Sequence, residues 1–478
     1  MKRTGSIVYI VVCLMLCILP FAGMAVYRTE VTTENKTLAE FPGLQKDGHF
    51  NMEFFDELSA YFEDHFAFRQ ELVTADANIQ SRIFKVSNVD TVLVGKEGWL
   101  YYTDTIDDYL GQNVMTDRQV FNTVHNLSLL QQYVVDRGAD FLFTVAPNKN
   151  TLYGGNMPYY AGYKVDEVSN IDLIKPRLLE MGISYTDLYE PFERERETLY
   201  LKRDSHWNNK GAVLAYDTLL DSVMMEHETY EGVTALREKR EYGDLNKMLY
   251  PLAAVPEWNY YYQYDNNWSY CSEEQDVEAA WLETQCPDGK GKLLMFRDSF
   301  GNTLIPLMAG QFESAAFSKS IPYRIAEYME KCSPELVIAE KVERNLDEYM
   351  LTPPIMQGPE IMLEEIKEGN DRFDAVIEIE ELFDDTRYWI VSGKVEGENI
   401  ETDARIYVHL INGEISKTYE AFTTVVDDSD YGYTLYLQKD ELQSTGLVSN
   451  NSVRIEILVE DSKGLQHTGE INISLKQP

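Results

Sequence analysis

The chain's apolar positions follow three rhythms. First comes a continuous apolar run from Ile7 to Val26, behind Lys2 and Arg3. A membrane-spanning helix needs about 20 such residues, and a basic flank on the N-terminal side predicts a cytoplasmic start and an exported remainder. Residues 1–28 therefore read as a signal peptide or signal anchor. Ala22-Gly23-Met24-Ala25 offers a weak cleavage site, and neither Cys13 nor Cys17 follows the small residue that lipoprotein processing requires. The second rhythm is helical. Phe54, Phe55, Leu58, Tyr61, Phe62 and Phe66 recur at helix spacing, predicting one helix over 51–84 with its stripe on the core. A tight hairpin follows at 95–102, turning at Lys96-Glu97-Gly98, with Trp99 more readily buried than open to a sugar.

From Asp117 helices and strands alternate. Helices are expected at 117–137 (opened by Thr116 or Asp117), 168–181, 209–224, 299–311 and 322–331, and strands at 141–145, 184–188, 292–296, 314–317 and 336–339. This order predicts an α/β domain with a parallel sheet covered on both faces. Its sites should gather at the carboxyl ends of the strands. Pro353-Pro354 marks a break, and beyond Asp371 the third rhythm, short strands of period two, takes over at 375–379, 388–395, 405–411, 433–437 and 453–459. Turns such as Asn412-Gly413 separate them. Residues 371–478 thus read as an all-β sandwich without helices, a module that can bind glycan, contact a partner or act as a spacer.

Composition narrows the function classes. A chain of 478 residues exceeds one ordinary core, and 44% hydrophobic content with 32 tyrosines marks folded material. A formal charge of −38 leaves no basic footprint for nucleic acid, and at long range it mildly favours a neutral polymer over a polyanion. Of five cysteines, Cys271 and Cys286 flank a polar segment and are the candidate pair, with Cys332 left over.

The chemistry concentrates in two stretches, Arg203-Asp204-Ser205-His206-Trp207-Asn208 and Phe296-Arg297-Asp298-Ser299-Phe300-Gly301. Asp204 and His206 project to one side of an extended segment, and Ser299 stands where a strand turns into a helix. A serine becomes a nucleophile when an imidazole takes its proton and a carboxylate orients that imidazole. Backbone N–H groups at a helix start favour the oxyanion that follows. Local pattern alone fits turn or cap residues at Asp204 and Ser205 and a plain N-cap at Ser299 more readily than a triad. With seven histidines and no further ligand cluster beside the Asp-x-His pair, no metal and no cofactor is expected. Asn148 or Asn150, after a strand and beside Pro147, can donate to an oxyanion or make local turn bonds, and Lys149 is an anion contact or a solvated charge. The long insertion at about 228–290 interleaves aromatics with amides. Trp258, Tyr261, Tyr264 and Trp268 suit sugar rings, or pack under a loop.

Asp204-Ser205-His206-Trp207 with Arg297-Asp298-Ser299-Phe300 resembles the signature of the alginate O-acetyltransferase group (AlgX/AlgJ-type) and the related DHHW proteins. Thr37 to Pro42, Asp64 to Arg69, Gly95 to Tyr102 and Ala146 to Lys149 fit the group in the same order, so the likeness spans roughly 30–350. It implies a three-layer SGNH-hydrolase-like domain over 29–355, circularly permuted so that the Asp-x-His block precedes the serine. Ser299 would be nucleophile, His206 base and Asp204 orienting acid, with an asparagine donating to the oxyanion. The implied activity is exported O-acetylation of a cell-surface or secreted polysaccharide, the acetyl group arriving from a polytopic membrane acyltransferase. A carbohydrate esterase with the same triad, or a non-catalytic glycan-binding protein, would share these features. Arg297 stands where many SGNH enzymes have glycine, which bears on how substrate passes Arg297 and Gly301. Arg344 resembles part of a Glu-Arg pair near the end of these domains and is expected to form a structural ion pair.

Overall fold

A computed structural model describes residues 2–24, 26–27, 38–46, 49–230, 232–263, 267–362, 373–383, 385–448 and 452–474. Its centre is a seven-stranded sheet of β1 (Asp140–Ala146), β2 (Tyr185–Thr186), β3 (Ser269–Tyr270), β4 (Trp281–Gln285), β5 (Lys292–Phe296), β6 (Ser314–Ser318) and β7 (Leu336–Val342), in the order β2-β1-β7-β5-β6-β4-β3. The first five in that order run parallel, and β4 and β3 close the far edge antiparallel. Alternate residues of each parallel strand enter opposite cores. Phe141, Phe143, Leu294, Phe296, Val337 and Ala339 pack beneath helices Asp117–Val135, Asn170–Glu180 and Ile325–Cys332. Leu142, Leu293, Met295 and Ile338 pack beneath Asn209–Ser222 and Ile305–Gln311. A fully buried side chain of this kind contributes about 1.5–3 kcal/mol, and a one-residue slip would exchange every one of them between faces, so burial fixes the register. The result is the expected α/β arrangement, with the ends of β5 and β7 on one rim.

The expected elements recur with local differences. The single helix over 51–84 is two, Phe54–His65 and Arg69–Ile79, continued by a wider turn at Gln80–Phe84. The chain breaks at Phe66, which is extended, and at Phe68, whose φ of 62° is left-handed. Phe55, assigned to the core stripe, is 75% exposed. The helix over 299–311 is a short 3-10 turn, Phe300–Thr303, followed by Ile305–Gln311. Lys2–Gly23 forms one helix long and apolar enough to cross a membrane, and its end packs on the next helix through a Phe21–Phe62 ring contact at 5.6 Å.

Residues after Pro353 build two antiparallel sheets that share one buried cluster. Val391 and Leu435 from the four-stranded sheet meet Val408 and Ile457 from the five-stranded one. Strands Ile415–Glu420, Phe422–Val426 and Gly464–Ser474 and helix Lys439–Ser444 were not expected. The module packs on the outer face of helix Asp117–Val135. Arg118 Nη1 donates to the carbonyls of Thr402 (3.1 Å) and Ala404 (2.6 Å), and Asn126 Nδ2 to those of Tyr349 (2.7 Å) and Thr423 (2.9 Å). This docking buries a helix face carrying Asn122, Thr123, His125 and Asn126, and the bonds of Arg118 and Asn126 offset part of its desolvation.

Candidate active site

The loop carrying Asp204 and His206 is held from three sides. Its ends pair through the Tyr200–Trp207 bridge, and Asn208 caps the next helix by accepting from Lys210 and Gly211 N–H at 3.0 Å each. The Glu257 carboxylate accepts from the N–H groups of Lys202 (2.9 Å) and Arg203 (2.8 Å). Beneath it, buried Lys149 donates from Nζ to the carbonyls of Leu100 (2.7 Å), Lys202 (2.8 Å) and Asp204 (2.7 Å). Burial pulls this ammonium down to about 7, while nearby Asp204 opposes the shift. Three carbonyl acceptors match the three protons of the charged form.

Ser299 directly follows Asp298 at the end of β5. Asp298 anchors that end, accepting from Phe300 N–H at 2.8 Å and, across the sheet, from Val342 N–H at 2.6 Å. Gly301 is required by close approach, since a Cβ there would stand 2.6 Å from Arg297 Cβ and 3.1 Å from Glu340 Oε2. The two stretches meet. His206 Nε2 lies 2.8 Å from Ser299 Oγ, and His206 Nδ1 lies 2.7 Å from Asp204 Oδ1. The Phe300 ring packs 4.9 Å from the imidazole and edge-on to Trp207, whose Nε1 donates to Thr303 Oγ1 at 2.6 Å.

A second carboxylate, Asp244, was missed by the sequence reading. Its N–H donates to Asp204 Oδ2 at 2.9 Å, its Oδ1 accepts from Ser205 N–H at 2.8 Å, and its Oδ2 accepts from Ser205 Oγ–H and lies 3.7 Å from His206 Nδ1. Gly243 admits it, because a Cβ there would sit 2.2 Å from the Arg203 carbonyl. That glycine-acid pair is the one local signal the sequence offered. Burial would raise Asp204, yet hydrogen bonds from His206 and Asp244 hold it down to about 2. Burial would likewise lower His206, but its hydrogen bond to Asp204, together with the charges of Asp204, Asp244 and Asp298, overcomes this and raises the imidazole. Asp244 itself is raised, by burial first and then by Asp204. Asp204, His206 and Asp244 bring ligand atoms within 4.8 Å of one another. Those atoms are already engaged with each other and with Ser205, an arrangement suited to moving a proton rather than holding a cation.

The other candidates are distributed as follows. Asn148 is buried, with Nδ2 donating to Asp108 Oδ2 at 3.1 Å, and Asn150 Nδ2 donates to Thr105 O and Oγ1 at 2.9 Å. Both amide nitrogens therefore donate within the fold, and Lys149 faces the loop interior. Arg297, expected near the substrate path, is 2% exposed, and donates to Val277 O (2.8 Å), Ala279 O (3.2 Å) and the Asn302 amide oxygen. Trp258 is half exposed on a hairpin with Tyr261, whose ring lies 3.6 Å from the Arg240 guanidinium carbon. Trp268 sits instead beside the β3 edge, packing on Tyr270 at 5.1 Å. Tyr264 is outside the described residues. Arg344 makes no ion pair among the described residues. Its guanidinium faces the rings of Tyr102 (5.3 Å) and Phe300 (6.0 Å), while Glu343 turns inward to accept from Asn148 N–H and Thr151 Oγ–H at 2.8 Å each. Cys271 and Cys286 are both free, because the β3–β4 register pairs Tyr270 with Thr284 and sets Cys271 against Glu283 rather than Cys286.

Among solved structures, PatB1 of Bacillus cereus overlaps 53% of this chain and 96% of its own at 15% identity and a TM-score of 0.42. The O-acetyltransferase domain of Pseudomonas putida AlgJ overlaps 54% and 92% at 16% identity and 0.36. Pseudomonas aeruginosa AlgX overlaps 77% and 90% at 12% identity and 0.36. No curated protein sequence matches the chain. The resemblance carried by the sequence motifs is shown where residues 92–282, a range that includes Asp204 and His206 and ends before Ser299, match the family of the SGNH hydrolase-like domain of the acetyltransferase AlgX.

Proposed function

We propose that the chain is an exported O-acetyltransferase acting on a polysaccharide through an acetyl-serine intermediate. The observation that carries the reading is the continuous line of contacts Ser299 Oγ–His206 Nε2 and His206 Nδ1–Asp204 on the rim where the parallel strands end. Ser299 Oγ attacks the acetyl carbonyl as its proton passes to His206 Nε2, and that proton leaves with the departing donor group. A glycan hydroxyl then gives its proton to His206 and attacks the acetyl-serine, releasing Ser299 with its proton restored. The tetrahedral oxygen would be met by backbone N–H groups at the start of the turn that Ser299 opens other than those of Phe300 and Asn302, which already donate to Asp298 and to the Ser299 carbonyl. Asp204 keeps Nδ1 protonated and the ring oriented, and Lys149 and Asp244 hold Asp204.

In this reading 29–355 form the catalytic domain, a circularly permuted SGNH domain whose Asp-x-His block comes first. The segment at about 228–290 supplies Asp244 and the Trp258 and Tyr261 hairpin as a glycan contact, and 371–478 form a β-sandwich docked on helix Asp117–Val135. Helix Lys2–Gly23 serves as signal or anchor, and a polytopic membrane acyltransferase delivers the acetyl group. The test is intact-mass and peptide mapping after exposure to an activated acetyl ester, with Ser299→Ala and His206→Ala alongside. An adduct on Ser299, lost in both variants and discharged faster by added oligosaccharide than by water, is expected. Discharge by water alone would make the enzyme an esterase, and the absence of adduct and turnover at any pH would remove the triad reading.

A further inference from the structure

Helix Phe54–His65 is inverted relative to the domain that carries it. Its spacing places Phe55, Leu58, Phe62 and, just beyond its end, Phe66 on one side, and Asp56, Glu57, Glu63 and Asp64 on the other. In a helix that rests on a domain the apolar side turns inward. Here the acidic side does. Asp64 is 6% exposed and accepts from Ala39 N–H at 2.9 Å, and Glu57 accepts from Asn51 Nδ2 at 2.7 Å and from Lys46 Nζ at 3.1 Å. Phe55 is open to solvent, as are Phe41, whose ring meets Tyr61 edge-on at 5.2 Å, and Phe68 just after the helix. Among the described residues, no side chain of this helix belongs to a buried hydrophobic cluster. A contiguous exposed apolar face of this kind marks a contact surface.

The helix packed against it indicates what that face meets. The apolar span Ser6–Gly23 has 18 residues, about 27 Å at 1.5 Å per residue, close to the ~30 Å hydrocarbon core of a bilayer. With the basic flank of Lys2 and Arg3 on the cytoplasmic side, Gly23 emerges at the outer boundary. The inverted helix is pinned there. Ala67 N–H donates to the Pro20 carbonyl at 3.3 Å, the Phe62 ring lies 5.6 Å from Phe21, and a Cβ at Gly23 would stand 2.7 Å from Ala67 Cβ. Phe62 therefore sits at the depth where acyl chains meet headgroups. Phe55 comes two helical turns earlier, on the same side and about 10 Å along the axis. Laying the helix along the leaflet takes Phe55, Leu58 and Phe41 out of water, while its acidic side keeps its bonds to residues 39–51.

We infer that helix Phe54–His65 lies in the outer interface of the lipid bilayer, apolar side towards the acyl chains, as a second membrane contact beside the spanning helix. The inference rests on residues 1–28 staying attached as an anchor, and not on the chemistry at Ser299. Two points of attachment fix the tilt of the catalytic domain over the membrane, where a single helix would leave it free to swing. With acidic rather than basic residues on its polar side, the helix gains nothing from anionic headgroups. Apolar burial supplies the contact, so zwitterionic lipid serves as well as anionic lipid.

The test places a tryptophan on each side of the helix in the full chain, Phe55→Trp and Ala60→Trp, both at exposed positions, and reconstitutes each in phosphatidylcholine nanodiscs with or without brominated acyl chains. The six native tryptophans all lie outside residues 54–65, so the emission gained over the parent chain reports the new side chain alone. Bromine should quench the gain in Phe55→Trp about twofold or more and leave that in Ala60→Trp unchanged, and about 0.5 M salt should alter neither, since apolar contact is not screened. Equal quenching of the two variants would overturn the inference. So would a Phe55→Trp emission that aqueous iodide quenches and bromine does not, which would leave the face to a protein partner, or one that neither reaches, which would give it to a second copy of the chain. Intact mass separates these outcomes from failure of the anchor. Loss of residues 1–28 would overturn both, whereas their retention with Phe55→Trp unquenched by bromine would overturn this inference alone.

Discussion

Two histidines in this molecule have the same partners and different prospects. His206 lies between Asp204 (2.7 Å) and the hydroxyl of Ser299 (2.8 Å), and His125 lies between Glu420 (2.9 Å) and the hydroxyl of Thr423 (3.2 Å). Each is a hydroxyl–imidazole–carboxylate line. His206, however, stands on the rim with 22% of its side chain exposed, and its serine follows the end of a parallel strand. His125 is 1% exposed at the interface of helix Asp117–Val135 with the β module, and Thr423 is fully buried inside a strand. The comparison teaches that connectivity does not make a nucleophile; access, and space for a reacting carbonyl, do.

The largest effect expected is at the hydroxyls. Ser299→Ala should reduce turnover of an activated acetyl ester by about 10⁴-fold or more, because members of a triad act as a unit. Thr423→Ala should leave turnover per folded molecule unchanged. Stopped-flow release of the ester's leaving group measures both, and loss of activity in Thr423→Ala with intact folding would collapse the distinction.

Next comes stability, where the ranking inverts. His125→Ala leaves Glu420 buried with Arg405 as its nearest cation at 3.4 Å, and breaking a buried pair by removing one partner costs about 3–5 kcal/mol. Thermal unfolding should show the loss, with turnover retained below the transition. Burial raises Glu420, but the bond and charge of His125 outweigh it and leave the carboxyl below its ordinary 4.5. A depressed carboxyl contributes in full above its unfolded pKa, and the contribution disappears as pH falls through the folded one. This carboxyl's contribution should therefore be lost as pH falls below its ordinary 4.5, and His125→Ala should flatten that part of the acid limb.

The two regions also differ in how much the sequence disclosed. The parallel core was legible because each strand is a short apolar run bounded by polar residues, and all seven residues of β7 are buried. Asp204, His206 and Ser299 were legible because acid, imidazole and hydroxyl sit at the junctions between such runs. Asp244 was not, since it reaches the site from inside a long insertion, and its partners Asp204 and Ser205 lie about 40 residues earlier in the chain. The His125 interface was hidden in the same way. Asn122, His125 and Asn126 are polar side chains whose partners, the carbonyls of Asp430, Tyr349 and Thr423 and the side chains of Glu420 and Thr423, lie more than 200 residues away along the chain. Arg297 was misplaced likewise, its partners at Val277 and Ala279 lying outside any local pattern.

A third test addresses what holds His206 and has no counterpart at His125. Lys149→Met retains the packing volume and removes three donors from the carbonyls of Leu100, Lys202 and Asp204. Misplacing a catalytic group by about 1 Å can cost about 100-fold in rate. The loss should appear in kcat for the small ester and be only partly regained in Lys149→Arg, whose planar fork does not match three converging acceptors.

The smallest effect is the most diagnostic of the electrostatics. Asp244 lies 3.7 Å from His206 Nδ1, and its charge is among those that raise the imidazole against the lowering effect of burial. A general base must be neutral to act, so the rate falls as pH drops through the His206 pKa, which lies above the ordinary 6.5. Asp244→Asn keeps the N–H that donates to Asp204 Oδ2 and a carbonyl oxygen for Ser205, while removing one negative charge. The acid limb of kcat/KM should then move to lower pH, raising the rate at pH 6 by about two- to fivefold with little change at pH 8. Asp204→Asn should move the limb the same way and depress the plateau as well, because an amide has one acceptor oxygen where Asp204 uses two, for His206 Nδ1 and for Asp244 N–H, so the ring's tautomer and orientation are no longer fixed. An unmoved limb in Asp244→Asn would show that Asp244 acts on Ser205 and the loop alone, leaving Asp204 as the one carboxylate His206 senses.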